Sequence, residues 1–509
     1  MSRIFREKCH VKKAKKQTRR DQRDTPSFSV ELPLRTRPRD DHWLRDRVVC
    51  GQRLFNVLLQ DGFARVAAMR ADPAWVQART TPTPAKKQAA YDAVKAQYGF
   101  TSVAFDALVK DHAHAAKFSG RIGSHEMQRI ATQVFTALAD WVYGKHGRPR
   151  FKGRQRPLHS LQGKNNTGML QWKPELHVLQ VEQGWHIPVA LPDLGKDEWL
   201  WTALQARTKY CQVIWRYIRG ERRWFVHLIQ EGLSPLKASL LEKLASPDAR
   251  GGFDLGPSNF AWCTTTDAGI IRLCAEIDRP HALLRRLQRH LDRQRRAANP
   301  DNYQPEGTMR KGKKTWTVSN RQRHVEATVQ NLSRVEAAVR RSAHGRTVNR
   351  LLTKARHWQD DGVSSLALQR SYGTSVNLRA PGLLVSELIR KAERAGGSRT
   401  IIESRTLKTS QYDHTTDDCV NKRLSDRWHV FRDGRGMVQR DLYSAFLALH
   451  VEGNTHHPAR LETAWQAMTS RLRAAGWYVP QGTMDPSGAT DPTSRIGRVP
   501  RPSIPILLV

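Results

Sequence analysis

Residues 252–261 of the chain read Gly252-Phe253-Asp254-Leu255-Gly256-Pro257-Ser258-Asn259-Phe260-Ala261, an apolar run that contains one acid and then turns. Asp254 lies in the middle of what reads as a β-strand, where ordinary packing would not place a carboxylate. Burying an unpaired carboxylate is costly, so such an acid persists where a cation neutralises its charge. The stretch therefore predicts an acidic metal site on a strand.

The composition points to a polyanionic partner. The 509 residues include 85 Lys and Arg against 47 Asp and Glu, a formal net charge of +38. A compact protein of this charge repels itself unless a polyanion binds, and nucleic acid is the obvious one. The length predicts several domains, at about 100 to 200 residues for each.

The chain shows no membrane or secretory signal and no disulfide framework. No run of about 18 apolar residues occurs, so we expect no membrane partner. The basic N-terminus has no apolar segment after it and is expected to be neither a signal nor an anchor. The six cysteines form no Cys-x-x-Cys pair, which argues against disulfides and a simple cysteine zinc site. A reducing, cytoplasmic setting is the prediction.

The spacing of apolar residues predicts an α+β protein in which a small β-barrel is split by a helical insertion. In the basic helix before residue 300, we expect Leu284, Leu287 and Leu291 to face inward. The predicted elements are a strand at 28–34, a helix at 41–71, two helices within 86–144, hairpins within 148–232, three antiparallel strands within 253–274, and two basic helices before 355.

Residues 252–261 resemble the first RuvC motif of the TnpB family, the transposon-encoded RNA-guided nucleases related to type V CRISPR effectors. Three more segments match in family order: Thr409-Ser410-Gln411, residues 424–430 (Leu-Ser-Asp-Arg-Trp-His-Val) and residues 439–448 (Gln-Arg-Asp-Leu-Tyr-Ser-Ala-Phe-Leu-Ala). Residues 379–382 and 388–396 also look like family segments. The match spans roughly residues 250–450, and 28–34 and 150–154 are similar to the family more loosely.

The resemblance implies an RNase H-like (RuvC) mixed sheet with flanking helices, preceded by a wedge-like barrel with a helical recognition insertion. The predicted segments are a basic disordered arm (1–25), the first barrel strand with the helical insertion (26–145), the rest of the barrel (146–249), the RuvC-like nuclease domain (250–405), a degenerate zinc-ribbon-like insertion (406–438), the end of the RuvC-like domain (439–480) and a tail (481–509).

RNase H-like nucleases hydrolyse phosphodiesters with two divalent cations held by carboxylates from distant segments. Oxygen ligands of this kind suit Mg²⁺, or Mn²⁺. The resemblance implies that Asp254 and Asp441 are two of the three catalytic metal ligands. Asp441 opens an apolar helix and could instead complement the helix dipole, but its place in the Gln-Arg-Asp-Leu-Tyr-Ser-Ala segment favours the metal role.

The middle acid departs from the family, which presents a Glu at the end of a strand after the two basic helices. An ungapped count places that Glu on Asp361, whereas Asp360 would face the other side of a strand. Asp361 is one methylene shorter than Glu. It is interpreted either as the third catalytic ligand or as part of a solvated turn, and Glu403 and Glu387 are weaker substitutes.

A second departure concerns the family's four-cysteine zinc ribbon. The corresponding span offers only His414, Cys419 and His429, whereas a tetrahedral zinc site needs four Cys or His ligands. We expect that zinc has been lost and that Phe431 and Trp428 pack where a metal would have been.

These observations predict a transposon-associated, Mg²⁺-dependent, RNA-guided DNA endonuclease with a guide RNA and target DNA as partners. The alternative is a nuclease-inactive RNA-guided DNA-binding protein or repressor from the same family. A basic packaging protein would explain the charge but not the ordered acid motifs. If the chain is a nuclease, the carboxylates of Asp254, Asp361 and Asp441 should lie within reach of one pair of metal ions.

Overall fold

The computed structural model describes residues 25–118, 120–153, 156–182, 184–312, 314–362, 365–423 and 426–481. The chain divides into two compact units, residues 1–235 and 236–509. Apart from Thr25 and Gln481, the predicted basic arm and the predicted tail lie outside the described residues. No helix in the described ranges has the length and apolar character needed to cross a bilayer.

The first unit combines two antiparallel sheets with a group of helices. One sheet has the strand order β1-β7-β6-β2 and the other β3-β4-β5. The described elements are β1 (Ser27–Pro33), α1 (Pro38–Ala71), α2 (Pro73–Thr80), α3 (Pro84–Gln97), α4 (Ser102–Ala115), α5 (Ser124–Val142), β2 (Ser160–Gln162), β3 (Gln171–Lys173), β4 (Val178–Glu182), β5 (Trp185–Pro188), α6 (Glu198–Leu204), β6 (Thr208–Ile218) and β7 (Glu221–Glu231).

The two sheets of this unit enclose one apolar core. Residues of both contribute to it, and a β-bridge between Leu34 and Val189 connects the end of β1 with the end of β5. The predicted strand at 28–34 and the predicted hairpin are confirmed. Arg219 and Gly220 between β6 and β7 both have positive φ (52° and 82°), as a two-residue hairpin turn of type I′ requires. Closure of a barrel stays a prediction.

Five helices, α1 to α5, separate β1 from β2, so the sheet is interrupted by a helical insertion as predicted. The expectation of two helices within residues 86–144 was wrong, because that range holds parts of three. Gly99, with a φ of +60°, ends α3, and Arg65 donates to the carbonyls of Tyr98 and Gly99 at 3.2 and 2.9 Å. The buried Phe100 then begins a new packing surface.

The second unit is built on a five-stranded mixed sheet with the order β10-β9-β8-β11-β12. Its described elements are α7 (Ala238–Leu241), β8 (Arg250–Leu255), β9 (Asn259–Thr264), β10 (Ala268–Arg272), α8 (Asp278–Ala298), α9 (Asn320–Leu352), β11 (His357–Asp360), α10 (Ser365–Arg379), α11 (Pro381–Arg394), β12 (Ser398–Ile401), α12 (Ser404–Leu407), β13 (Tyr412–Asp413), β14 (Asp418–Cys419), β15 (Trp428–Val430), β16 (Gly436–Gln439), α13 (Arg440–His450), α14 (Pro458–Ala474) and β17 (Tyr478–Pro480).

The sheet is antiparallel on one side of β8 and parallel on the other, where β8, β11 and β12 run together. The three antiparallel strands predicted within residues 253–274 are confirmed. Helices cover both faces, with α13 and α14 packed on one and α9 and α11 on the other. Alternate residues of β8 therefore point to different helices, and Phe253 faces the α9 and α11 side, where it packs near Trp358.

The two basic helices predicted before residue 355 are α8 and α9. Along α8, Leu284 and Leu291 are buried and Leu287 is partly buried, so the predicted inward face is confirmed. Arginines cover the opposite side and are exposed: Arg285, Arg289, Arg293 and Arg296.

Candidate active site

Asp254 lies near the carboxyl end of β8, on the face that α13 covers. Gly252, two residues earlier, shows how closely the helix approaches, because a Cβ on Gly252 would collide with the carbonyl oxygen of Ala445 and the amide nitrogen of Leu449. Since residues two apart on a strand share a face, Asp254 points to the α13 side. The helix can lie this close to β8 only because residue 252 has no side chain.

Asp441 occupies the first turn of α13. The helix begins at Arg440, and the side chain of Gln439 caps it by accepting a 2.7 Å hydrogen bond from the amide of Leu442. Helix α13 touches β8 at Gly252, and Asp254 lies about 6.6 Å further along the strand from this contact. Asp441 is about 6 Å from Ala445 along the helix. Among charged residues Asp441 raises the pKa of Asp254 most, which places both acids at one end of the sheet.

Asp361 follows the last residue of β11 and lies level with Asp254. Strand β11 pairs in parallel with β8, with Gln359 opposite Gly252. Two residues further on, this register brings Asp361 beside Asp254. The strand ends at Asp360, and Gly362 has a φ of +67° that begins a turn. Asp361 thus lies beside the first acid and directly before Gly362, and its role as a metal ligand stays a prediction.

Asp360 faces away from the other acids. Its side chain is only 3% exposed and accepts hydrogen bonds from Nε and Nη2 of Arg399, both at 2.6 Å. This agrees with the expectation that only one acid of the pair can face the site. Of the two substitutes, Glu387 pairs with Arg390 on α11, whereas Glu403 is an exposed residue before α12 whose side chain makes no cap hydrogen bond.

The carboxylate of Asp254 is held in an unfavourable environment for its charge. Burial raises its pKa well above the ordinary value, and the negative charges of Asp441, Asp361 and Asp360 raise it further. Arg440 is the nearby cation that acts in the opposite direction. Two guanidinium groups thus lie among these four acids, Arg440 beside Asp441 and Arg399 paired with Asp360.

Arg440 belongs to the motif at residues 439–448, but its sequence context did not indicate a role in the site. Its amide donates to the carbonyl of Arg427 at 2.9 Å, and its Nη1 donates to the carbonyl of Arg423 at 3.2 Å. Its Nη2 lies 3.4 Å from Oδ1 of Asp441. The carbonyls of Arg427 and Arg423, in the segment before α13, therefore position the cation of this site. Arg399 was also missed, because no sequence signal links an edge-strand arginine to an acid 39 residues earlier.

The donor set suits a hard divalent cation, since the acids supply oxygen ligands only. The excess negative charge around Asp254 is the feature that fits such an ion. As the side chains stand, no group of three or more His, Cys, Asp or Glu in the described ranges is arranged to hold a metal ion. The acids thus share one end of the sheet without forming a closed coordination cage.

The histidines considered as remnants of a zinc site have protein partners. His429 is fully buried, with Nε2 3.4 Å from Oδ2 of Asp413, and Lys422 donates to its Nδ1. His414 makes a 2.7 Å hydrogen bond through Nδ1 with the hydroxyl of Tyr443. Phe431 is buried against both imidazoles, at 4.9 Å from His429 and 5.7 Å from His414.

The side chain of Trp428 on β15 is partly buried, and Cys419 is a free cysteine on β14. The absence of zinc from this insertion stays a prediction.

Comparison with known proteins gave structural matches only. No family model and no curated protein matches the chain. Among solved structures, a Cas12f1–sgRNA–target DNA complex matches with a TM-score of 0.42 and 10% identity, covering 84% of this chain and 98% of the other. A CRISPR-Cas12f ternary complex matches with a TM-score of 0.28 and 11% identity, covering 80% and 82%. With TM-scores below 0.5, neither match bears on the function of the site.

Proposed function

We propose that this chain is an RNA-guided DNA endonuclease related to the TnpB family, with an RNase H-like nuclease domain in its second unit. Asp254, Asp361 and Asp441 would hold divalent cations, Mg²⁺ or Mn²⁺, at the carboxyl end of the central strands. The guide RNA and the target DNA would supply the polyanions that a net charge of +38 requires.

The charge environment of Asp254 is the observation that carries this proposal. Burial and the charges of Asp441 and Asp361 raise the pKa of Asp254, whereas Arg440 lowers it. Residues with perturbed pKa values and a specific set of charged neighbours concentrate at functional sites. The mixed sheet with helices on both faces, and the positions of the acids at the ends of β8, β11 and α13, support the RNase H-like interpretation.

Each acid of the site would have a defined part. Asp254 and Asp441 would be held by the strand and the helix that meet at Gly252, and Asp361 by the turn after β11. Bound cations would supply Lewis acidity for an attacking water and for the leaving oxygen of a phosphodiester. Arg440, anchored to the insertion, could contact a phosphate oxygen of the substrate.

The exposed arginines of α8 support nucleic acid as the substrate class. Arg285, Arg289 and Arg293 lie about one helical turn apart on one side of the helix. None of the three forms an ion pair with a carboxylate within the ranges that the structure describes, whereas Arg296 pairs with Asp292. A row of uncompensated guanidinium groups is suited to contact a phosphate backbone without reading its sequence.

A second candidate function is RNA-guided DNA binding without cleavage. The side chain of Asp361 is one methylene shorter than the Glu of the family it resembles, and no three acids in the described ranges form a ready metal site. If the acids cannot close around metal ions, the same basic surfaces would still bind the guide and the target.

One cleavage assay separates the two candidates. The full chain, purified with its co-expressed RNA, is incubated with a matched DNA target and Mg²⁺. We expect cleavage that EDTA abolishes and that falls at least about 100-fold in Asp254→Ala and Asp441→Ala, since each removes a ligand worth several kcal/mol of transition-state stabilisation. The matched control is Asp418→Ala, an exposed acid that pairs with Arg432 and should leave cleavage unchanged.

Guided DNA binding without cleavage by the wild-type chain would favour the second candidate. Cleavage that survives both substitutions would place the catalytic centre elsewhere. A chain that neither binds nor cuts a matched target would contradict both functions.

A further inference from the structure

The buried Asp360 and the partly buried Arg399 form an ion pair immediately behind the candidate site. Arg399 lies on β12, opposite Trp358 in the parallel register, and reaches Asp360 on the same face of the sheet. Both of its hydrogen bonds to the carboxylate measure 2.6 Å, which is the two-pronged geometry that fixes orientation as well as distance. The pair is thus a rigid connection between the last residue of β11 and the neighbouring strand.

The same carboxylate also fixes the turn that follows. Oδ2 of Asp360 accepts a 3.0 Å hydrogen bond from the amide of Gly362, and the carbonyl of Asp360 accepts one of 2.8 Å from Ile402. A Cβ on Gly362 would lie 2.6 Å from Cγ2 of Ile401. The positive φ of Gly362 and this close approach favour glycine here. The backbone is held on both sides of Asp361, by Ile402 at the carbonyl of Asp360 and by the Asp360 carboxylate at the amide of Gly362.

These contacts determine where Asp361 points. The ladder between β8 and β11 ends at Gln359 and Gly252, so it does not hold Asp361 directly. Because successive residues alternate in direction, an Asp360 side chain fixed toward Arg399 turns Asp361 toward the face of Asp254. Because the side chain of Asp361 is short, even a small displacement of its backbone would move its carboxylate away from Asp254.

We propose that Arg399 and Asp360 are a positioning pair that holds the carboxylate of Asp361 beside Asp254, so that a short aspartate can serve as a metal ligand there. The inference rests on the proposed metal site. It adds to it two residues that do not touch the metal or the substrate and that act through the backbone of Asp361.

The test is a Mn²⁺ titration of the full chain, with free Mn²⁺ followed by electron paramagnetic resonance. Arg399→Ala should weaken the Mn²⁺ affinity about 10- to 100-fold, the usual effect of losing a residue that orients a metal ligand. Arg390→Ala is the matched control, because Arg390 makes a similar two-pronged pair with Glu387 on the exposed side of α11. It should leave the affinity unchanged.

The decisive variant combines Arg399→Ala with Asp361→Glu. If the pair acts by placing a short side chain, the extra methylene compensates for a displaced backbone and restores most of the lost affinity. A general loss of structure would not be relieved by a longer acid. Should Arg399→Ala fail to fold, the double variant Asp360→Asn with Arg399→Gln removes both charges of the pair together, and its affinity should also fall and recover with Asp361→Glu.

Three results would overturn the inference. The first is that Arg399→Ala binds Mn²⁺ as tightly as Arg390→Ala. The second is that adding Asp361→Glu to Arg399→Ala does not restore the lost Mn²⁺ affinity. In either case Asp254→Ala would still weaken Mn²⁺ binding, and the metal site itself would stand. If wild type and Asp254→Ala bind Mn²⁺ equally, the proposed metal site fails and the positioning role fails with it.

Discussion

Asp254 and Asp413 are two carboxylates of the same unit with opposite electrostatic surroundings. Asp413 is 0% exposed, yet its pKa is held well below the ordinary range: burial opposes its charge, but His429, Thr415 and the amide of Arg432 outweigh that effect. The donated hydrogen bonds measure 2.7 to 3.0 Å. Asp254 is half-buried, and its pKa is raised by desolvation and by neighbouring acids.

The comparison shows that burial alone does not decide the state of an acid. What differs is the supply of donors and cations around each carboxylate. The insertion that contains Asp413 meets its charge within the protein, so this acid stabilises the fold. Around Asp254 the charged neighbours are mainly acids, and Arg440 is the cation that lowers its pKa. This is the environment that the proposed binding of an external cation requires.

The largest effect on stability is expected when Asn replaces Asp413, the acid whose charge is met by hydrogen bonds within the protein. Asp413→Asn should lower the free energy of unfolding by about 3 kcal/mol, because it removes a charge that buried donors need and turns one amide hydrogen toward another. Urea denaturation at neutral pH with EDTA measures it. The exposed acid in Asp418→Asn serves as the control and should change stability little. A loss below 1 kcal/mol would mean that the buried network around Asp413 does not hold the insertion together.

A smaller effect is expected where α13 meets β8. Gly252→Ala should cost about 2 kcal/mol, since its methyl group would push the helix away from the strand. The same displacement would separate Asp441 from Asp254 and weaken Mn²⁺ binding. Gly345→Ala in α9 is the control: its Cβ would meet nothing within 4 Å, and the change should stabilise by about 0.5 to 1 kcal/mol. Equal stability of the two variants would contradict the close contact.

The smallest effect has the opposite sign. Without divalent cations, Asp254→Asn should raise the free energy of unfolding at pH 7 by about 1 kcal/mol, because it removes a carboxylate whose ionisation the fold disfavours. Denaturation in EDTA, alongside Asp413→Asn, measures the difference. With Mn²⁺ present, the wild type should gain stability and Asp254→Asn should not.

The pH dependence follows from the raised pKa of Asp254. The folded chain binds the proton of Asp254 more tightly than the unfolded chain, so the stability that this one residue contributes falls as the pH rises above the ordinary value of 3.8. Below that value the wild type and Asp254→Asn should be equally stable. A stability gap between them that is as large at pH 3.5 as at pH 7 would contradict the unfavourable ionisation of Asp254.

Much of the second unit could be predicted from sequence, because its signals are local. Apolar runs separated by turn residues predicted β8 to β10. The motifs that contain Asp254 and Asp441 gave these two acids as candidates, and the structure brings them to one end of the sheet. Counting along the chain could identify Asp361 as the position of the middle acid, but it could not predict the direction of its side chain. Its direction depends on the register of β11 against β8 and on Arg399, which are both long-range features.

Other features had no sequence signal. Asp413 and Lys422 look like ordinary loop polar groups in the sequence, and His429 was considered only as a zinc ligand, until the strands bring the three together. The end of α3 at Gly99 was missed in the same way, because a single glycine in a helical pattern is compatible with a continuing helix.

The central claim is that the acids around Asp254 hold divalent cations. A crystal of the full chain grown with Mn²⁺ and measured at the manganese absorption edge tests it most directly. The account predicts anomalous peaks with oxygens of Asp254, Asp441 and Asp361 within about 2.5 Å. A well-ordered site with no anomalous peak beside Asp254, and with the guanidinium of Arg440 seated among the carboxylates instead, would contradict it.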